Sequence, residues 1–220
     1  RAVEEIRALV RVLDDLPVDV PTLALMDGSL VTFGLLGHGD RDFVLRELVE
    51  MGFVQALEEL RQLAQERPLA VAAYTSLPDS REVVNALRLE VCPFDTADCA
   101  THCGGLPTGQ RPCDDAAHGL RDRDIFSRTL AEGERSALFA TGSRFVANYY
   151  QGHEIHSFYL NAGREIGRVE VPSWVASDEA SLGLAHSLTM DQCRRGPGYP
   201  IGLMESHEQA VVTVSDRRHF

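Results

Sequence analysis

The sequence predicts an α/β fold, and three patterns carry that reading: short apolar runs of strand length, a long stretch with helical spacing, and alternation of the two along the chain. Residues 22–27 and 30–36 are apolar runs separated by a turn at Gly28 and preceded by Pro21, so they read as adjacent strands. Between residues 41 and 67, Phe43, Val44, Leu48, Met51, Val54, Leu57 and Leu60 recur at helical spacing, which predicts one long or broken helix. Residues 69–74 then form an apolar run of the buried-strand type.

The other elements follow by the same rules. Val3, Ile6, Leu9, Val10 and Leu13 make residues 1–15 an amphipathic helix. Ser80 ahead of Arg81-Glu82-Val83-Val84 looks like a capped helix start. From residue 89 to 120 periodicity gives way to Cys, Gly, Pro, Asp and Thr, so this stretch reads as a loop or small insertion. A helix over 121–131, strands over 136–141, 155–160 and 165–171, and helices over 178–193 and 201–216 complete the chain, the last two separated by Gly196-Pro197-Gly198-Tyr199-Pro200. There is no internal repeat.

A length of 220 residues with 44% hydrophobic composition suits one domain over 1–220 with a substantial core. The start at Arg1 and the end at Phe220, without a helix stop signal, suggest a piece cut from something longer at both ends. No apolar run approaches the roughly 18 residues of a membrane span, and the start lacks a secretory layout, so a cytoplasmic protein without a membrane partner is expected. The net charge of -12 argues against a passive nucleic-acid binder. Contact with DNA would need divalent cations at a carboxylate-rich site and locally clustered arginines. No Walker-type glycine loop is present, so ATP hydrolysis is not expected of this chain.

Three places combine chemistry with an unusual position. Alternation along residues 22–27 puts Asp27 on the same face as Leu23 and Leu25. A carboxylate there is paired, solvated or cation-bound, because an isolated buried charge is costly. The bland alternative is an acid opening a tight Asp-Gly turn. His207 falls within an apolar stripe of Leu203, Ala210, Val211 and Val214, pointing toward the core, with Tyr199 eight residues earlier and Glu205 and Glu208 beside it. It reads either as a satisfied core histidine or as a ligand sharing one cation with Tyr199 and nearby carboxylates. In Arg121-Asp122-Arg123-Asp124, Asp122 shares the inward side with Ile125, Phe126 and Thr129. The acids either favour a helix N-terminus or place Asp122 as a metal ligand.

Met26-Asp27-Gly28-Ser29, Asp122-Arg123-Asp124-Ile125-Phe126, Gly133-Glu134-Arg135-Ser136, Phe158-Tyr159-Leu160-Asn161, Glu165 through Pro172, and Gly198-Tyr199-Pro200 through Glu205-Ser206-His207-Glu208 together, in that order, resemble the NurA nuclease family. The resemblance implies a ribonuclease H-like mixed sheet flanked by helices, here with a Cys-containing insertion over 90–120. It also implies manganese-dependent DNA cleavage, with magnesium as the alternative ion, as a 5′ to 3′ exonuclease and single-strand endonuclease. A homodimer docked to a HerA-type hexameric ATPase in DNA-end resection is implied with it. By motif, Asp27, Asp122, Tyr199 and His207 match active-site positions, with Asp27, Asp122 and His207 as metal ligands. A further glutamate belongs between the two aspartates, with Glu82 the first choice and Glu90 the second. Hard oxygen donors suit Mg or Mn, and an imidazole leans toward Mn.

Two departures stand out. Thr75-Ser76-Leu77-Pro78-Asp79-Ser80 replaces a basic stretch common in the family, and four cysteines are spaced Cys92-x6-Cys99-x3-Cys103-x9-Cys113, with His102 beside Cys103. The four either hold a structural ion such as zinc or are free; the spacing lacks the paired two-residue knuckles of a typical zinc site. Cys193 reads as a core residue. Two rival functions remain at this level: a catalytically silent adaptor that docks the translocase, and an unrelated hydrolase using cysteine and histidine.

Overall fold

The computed structural model describes residues 2–31, 46–107 and 109–210. Five strands form one mixed sheet in the order β1-β2-β5-β4-β3. They are β1 Thr22–Asp27, β2 Leu69–Thr75, β3 Phe139–Ala140, β4 Ile155–Asn161 and β5 Ile166–Pro172. β1 and β2 run parallel, from Thr22 opposite Leu69 to Asp27 opposite Tyr74. Parallel neighbours need a crossover, which includes α2, the π-wound segment Arg46–Val54, and α3, Gln55–Glu66. β5 is antiparallel to both β2 and β4.

Strand alternation divides the sheet into two covered faces. Ala24 and Met26 of β1 with Val71 and Ala73 of β2 pack beneath α1 (Ala2–Asp14), α2 and α3, meeting Ile6, Phe53, Leu57 and Leu60. Leu23 and Leu25 of β1, with Ala70, Ala72 and Tyr74 of β2, pack beneath α10 (Glu179–Arg195) and α11 (Ile201–Ala210). A smaller cluster of Phe126, Tyr159 and Ile166 lies under α7 (Asp122–Thr129). Each face is apolar because each strand is buried on both sides.

Several elements differ from expectation for identifiable reasons. Leu30 and Val31 continue from β1 as a buried bend rather than a strand; residues 32–36, 41–45 and 211–216 of the expected elements lie outside the described residues. The strand expected over 136–141 shrinks to β3, because the Ser136 hydroxyl takes the Tyr159 N–H at 2.9 Å, a donor the strand ladder would otherwise use. Ser80 does not cap α4, Glu82–Glu90; its hydroxyl sits 2.8 Å from the Tyr159 hydroxyl instead. Asp178 does cap α10, accepting the Ser181 N–H at 2.7 Å. Two short helices, α5 Cys99–Cys103 and α6 Asp114–Ala117, lie within the stretch expected to be a loop. Helices α8 (Arg144–Tyr149) and α9 (Ser173–Ala176) have too few residues for a periodic signal. Among the described residues no helix is long and apolar enough to cross a membrane.

Candidate active site

Asp27 ends β1, and the chain turns at once through Gly28, whose φ of +97° is left-handed territory that favours glycine. The turn is clamped from β2: the Gly28 N–H donates to the Tyr74 carbonyl at 2.9 Å and the Thr75 hydroxyl to the Gly28 carbonyl at 2.7 Å. The Asp-Gly turn and the candidate carboxylate are thus one feature. Strand pairing ends there, so the carboxylate emerges from the sheet end with 37% of its side chain exposed.

Two side chains approach it from the other end of the chain. Tyr199, in the connection between α10 and α11, donates its hydroxyl to Asp27 Oδ1 at 3.1 Å. His207, on α11, brings Nδ1 to 3.7 Å from Oδ2. Burial, then the charge of Asp27 and the hydrogen bond to it, raise the Tyr199 hydroxyl well above its ordinary value. It therefore stays protonated as a donor and is poorly suited to act as a general acid. Asp27 and His207 border a cleft of about 230 Å³ between α1, β1 and α11. His207 is 68% exposed in its side chain, contrary to the inward orientation expected from the apolar stripe. That stripe drew on Val211 and Val214, which lie outside the described residues; of its described members Leu203 is buried and Ala210 exposed.

Beneath Tyr199 lies a second tier. Tyr74 is fully buried, meets the Tyr199 ring edge-on at 5.6 Å, and donates its hydroxyl to Glu165 at 2.7 Å. Glu165 also accepts from Ser76 at 2.7 Å. Gly167 makes room for this arrangement, since a methyl there would overlap the Tyr74 ring.

The other acids expected at the site belong to a neighbouring network. Glu170 is 3% exposed and accepts from the Ser29 hydroxyl at 2.7 Å and the Leu30 N–H at 2.8 Å, which fixes the chain just past Asp27. Arg168 stands between Glu170 (3.3 Å) and Glu82 at the start of α4 (3.1 Å). Asp122 is fully buried, with Oδ1 accepting the Val84 N–H at 2.8 Å and Oδ2 the Tyr159 hydroxyl at 2.6 Å. It satisfies an orphan N–H in the first turn of α4, the work expected of Ser80. Glu82 lines a separate depression of about 780 Å³ with Phe139 to Phe145. Glu90 is the last residue of α4, a helix away from Glu82.

The structure thus brings Asp27, Tyr199 and His207 together, and joins Glu82 and Asp122 through α4. Arg168, Glu170, Tyr74 and Glu165 were given no role from the sequence. The signal was present for two of them: Arg168 and Glu170 recur two apart on a strand otherwise built of valines, isoleucine and glycine, which sets both charges on one face.

Among the described residues no three His, Cys, Asp or Glu side chains are grouped to hold a metal ion. Asp27 and His207 supply one hard oxygen and one imidazole. That fits the mode in which a hydrated divalent ion takes one or two protein ligands and completes its shell with water and substrate phosphate.

No curated protein matches the sequence. Among solved structures, the chain is similar over 99% of its length to the NurA nuclease from Sulfolobus solfataricus, with a TM-score of 0.52 and 14% identity. It spans 63% of the length of that nuclease. At that identity the likeness concerns the fold. The sequence pattern of the NurA domain, by contrast, matches residues 1–212, nearly the whole chain, and the protein belongs to the NurA domain family.

Proposed function

We propose that this protein is a metal-dependent deoxyribonuclease, a phosphodiester hydrolase, with its reaction centred on Asp27. The observation that carries the reading is the meeting of Asp27, Tyr199 and His207, three family-matched residues brought from opposite ends of the chain to the end of β1. Manganese, or magnesium in its place, is the ion we assign to Asp27 and His207; when bound it lowers the pKa of attacking water and offsets charge on the phosphate. Tyr199 orients the Asp27 carboxylate by its hydrogen bond. Arg164, exposed with its stem packed against Gly198, the residue before Tyr199, is a cation for a DNA phosphate in this reading. Glu82 supplies a second carboxylate, and Asp122 acts by holding the start of α4 and thereby Glu82.

We keep the wider family expectations as part of this proposal. They are a ribonuclease H-like core, 5′ to 3′ exonuclease and single-strand endonuclease action in cytoplasmic DNA-end resection, a homodimer, and a HerA-type hexameric ATPase as partner. The test is a manganese-supplemented assay on labelled linear DNA with the intact protein and Asp27→Asn. Product from the first and none from the second supports the enzyme. Equal product from both removes Asp27 from the site, and no product from the intact protein with either ion favours a silent adaptor.

A further inference from the structure

The segment after α4 carries four cysteines on separate short elements. Cys92 follows α4, Cys99 and Cys103 begin and end α5 one helical turn apart, and Cys113 precedes α6. All four thiols are free, and all four line one cavity of about 480 Å³.

The spacing between them decides the class of occupant. A single zinc holds sulfur at about 2.3 Å, so its four sulfurs stand roughly 3.8 Å apart. No three of these donors are grouped closely enough to hold one ion. They surround a space instead. The rest of the wall is largely apolar, with Leu89 and Phe94, and carries Arg111 and Arg88, the latter paired with the buried Asp114 at 3.1 Å. The Nε atoms of both arginines are buried without a hydrogen-bond partner. A buried guanidinium N–H left unpaired is costly, and here two such donors belong to side chains lining a cavity that four thiols also line.

We propose that this cavity binds an iron–sulfur cluster of the four-iron type, ligated by Cys92, Cys99, Cys103 and Cys113. Such a body is larger than one ion and takes four thiolates. Its thiolate-bound form is anionic, which Arg111 offsets while Arg88 is shared with Asp114, and its sulfurs accept the two orphan N–H groups. The cluster would tie α4, α5 and α6 together across a stretch that otherwise has little apolar core. The site is independent of the Asp27 cleft.

The test is metal and sulfide analysis of the full chain, purified without oxygen and reconstituted with ferrous iron and sulfide. About four iron and four acid-labile sulfide per chain are expected, with a broad visible band that bleaches on dithionite reduction and an electron paramagnetic resonance signal in the reduced protein. The quadruple Cys→Ser variant loses iron, sulfide and band together. If that variant does not fold, Cys113→Ser alone is expected to lower cluster occupancy by at least half, with the sheet intact by circular dichroism. One zinc per chain with no iron uptake overturns the proposal in favour of a single-ion site. Reconstituted protein with neither metal overturns it outright.

Discussion

The Tyr199 hydroxyl donates to the Asp27 carboxylate at 3.1 Å across a sequence separation of 172 residues. Groups that orient a metal-binding carboxylate typically carry 10- to 100-fold of metal affinity or activity. Tyr199→Phe is therefore expected to keep the fold and its melting temperature while lowering manganese-dependent cleavage by about 10- to 100-fold. A manganese titration of the cleavage rate checks it, and a Tyr199→Phe enzyme with wild-type rate at every manganese concentration would detach Tyr199 from the site.

Asp122 predicts a different signature. Removing its carboxylate leaves the Val84 N–H and the Tyr159 hydroxyl without their buried acceptor. Asp122→Ala should cost about 3 kcal/mol, and for a chain of this size that lowers Tm by roughly 6–12 °C. Differential scanning calorimetry beside the cleavage assay separates the roles: loss of activity with an unchanged Tm would make Asp122 a direct participant rather than a support.

The Arg168 guanidinium faces Glu170 in a nearly closed setting. Arg168→Met leaves that carboxylate buried and uncompensated, at about 3 to 5 kcal/mol. Adding Glu170→Gln should recover part of the loss. Urea unfolding of both single variants and the double variant gives the coupling energy, and simple additivity would show that the two side chains do not support one another.

Alkaline pH should loosen the layer under Tyr199. Burial pushes the Cys193 thiol up to about 11 and raises the Tyr74 hydroxyl far beyond its usual range. The folded chain thus keeps protons that the unfolded chain releases from about pH 9 upward. Stability is complete below that point and falls as pH rises. The melting temperature should drop between about pH 9 and about pH 11, and Cys193→Ala should flatten the early part of that fall. An unchanged slope in the variant would rule Cys193 out as a source.

Gly167→Ala tests the packing directly. The added methyl meets the Tyr74 ring, and overpacking a tight core costs about 1–3 kcal/mol. Because Tyr74 supports Tyr199 edge-on, the variant should lose cleavage as well as stability. Tyr74→Leu in the same chain, which removes the obstructing ring, should restore part of the stability but not the cleavage.

Legibility in the sequence followed periodicity and chain length. β1, β2, β4, β5, α1 and α10 are long or strongly patterned, and each lies within a few residues of where the spacing puts it. α8 and α9 are shorter than two helical turns and leave no such pattern. At the site, Asp27 was legible because an acid beside two inward leucines is anomalous. The fixed spacing of Tyr199 and His207 on one connection and helix was legible too. The exposure of His207 was not, since a helical stripe gives a direction without saying where the helix's partner ends. Nor was the second role of Asp122: local rules put a cap at Ser80, whereas the acceptor comes from 38 residues downstream of the N–H it serves.

The route by which Asp27 acquires its donors also sets a time at which the cleft exists. At about 5–20 residues per second, Tyr199 leaves the ribosome roughly 9–34 s after Asp27, and His207 roughly 9–36 s after it. A nascent chain without α11 has all five strands and Tyr199 yet lacks His207. On the function proposed for it, the protein therefore cannot complete its ion-binding pair of Asp27 and His207 until α11 has been made.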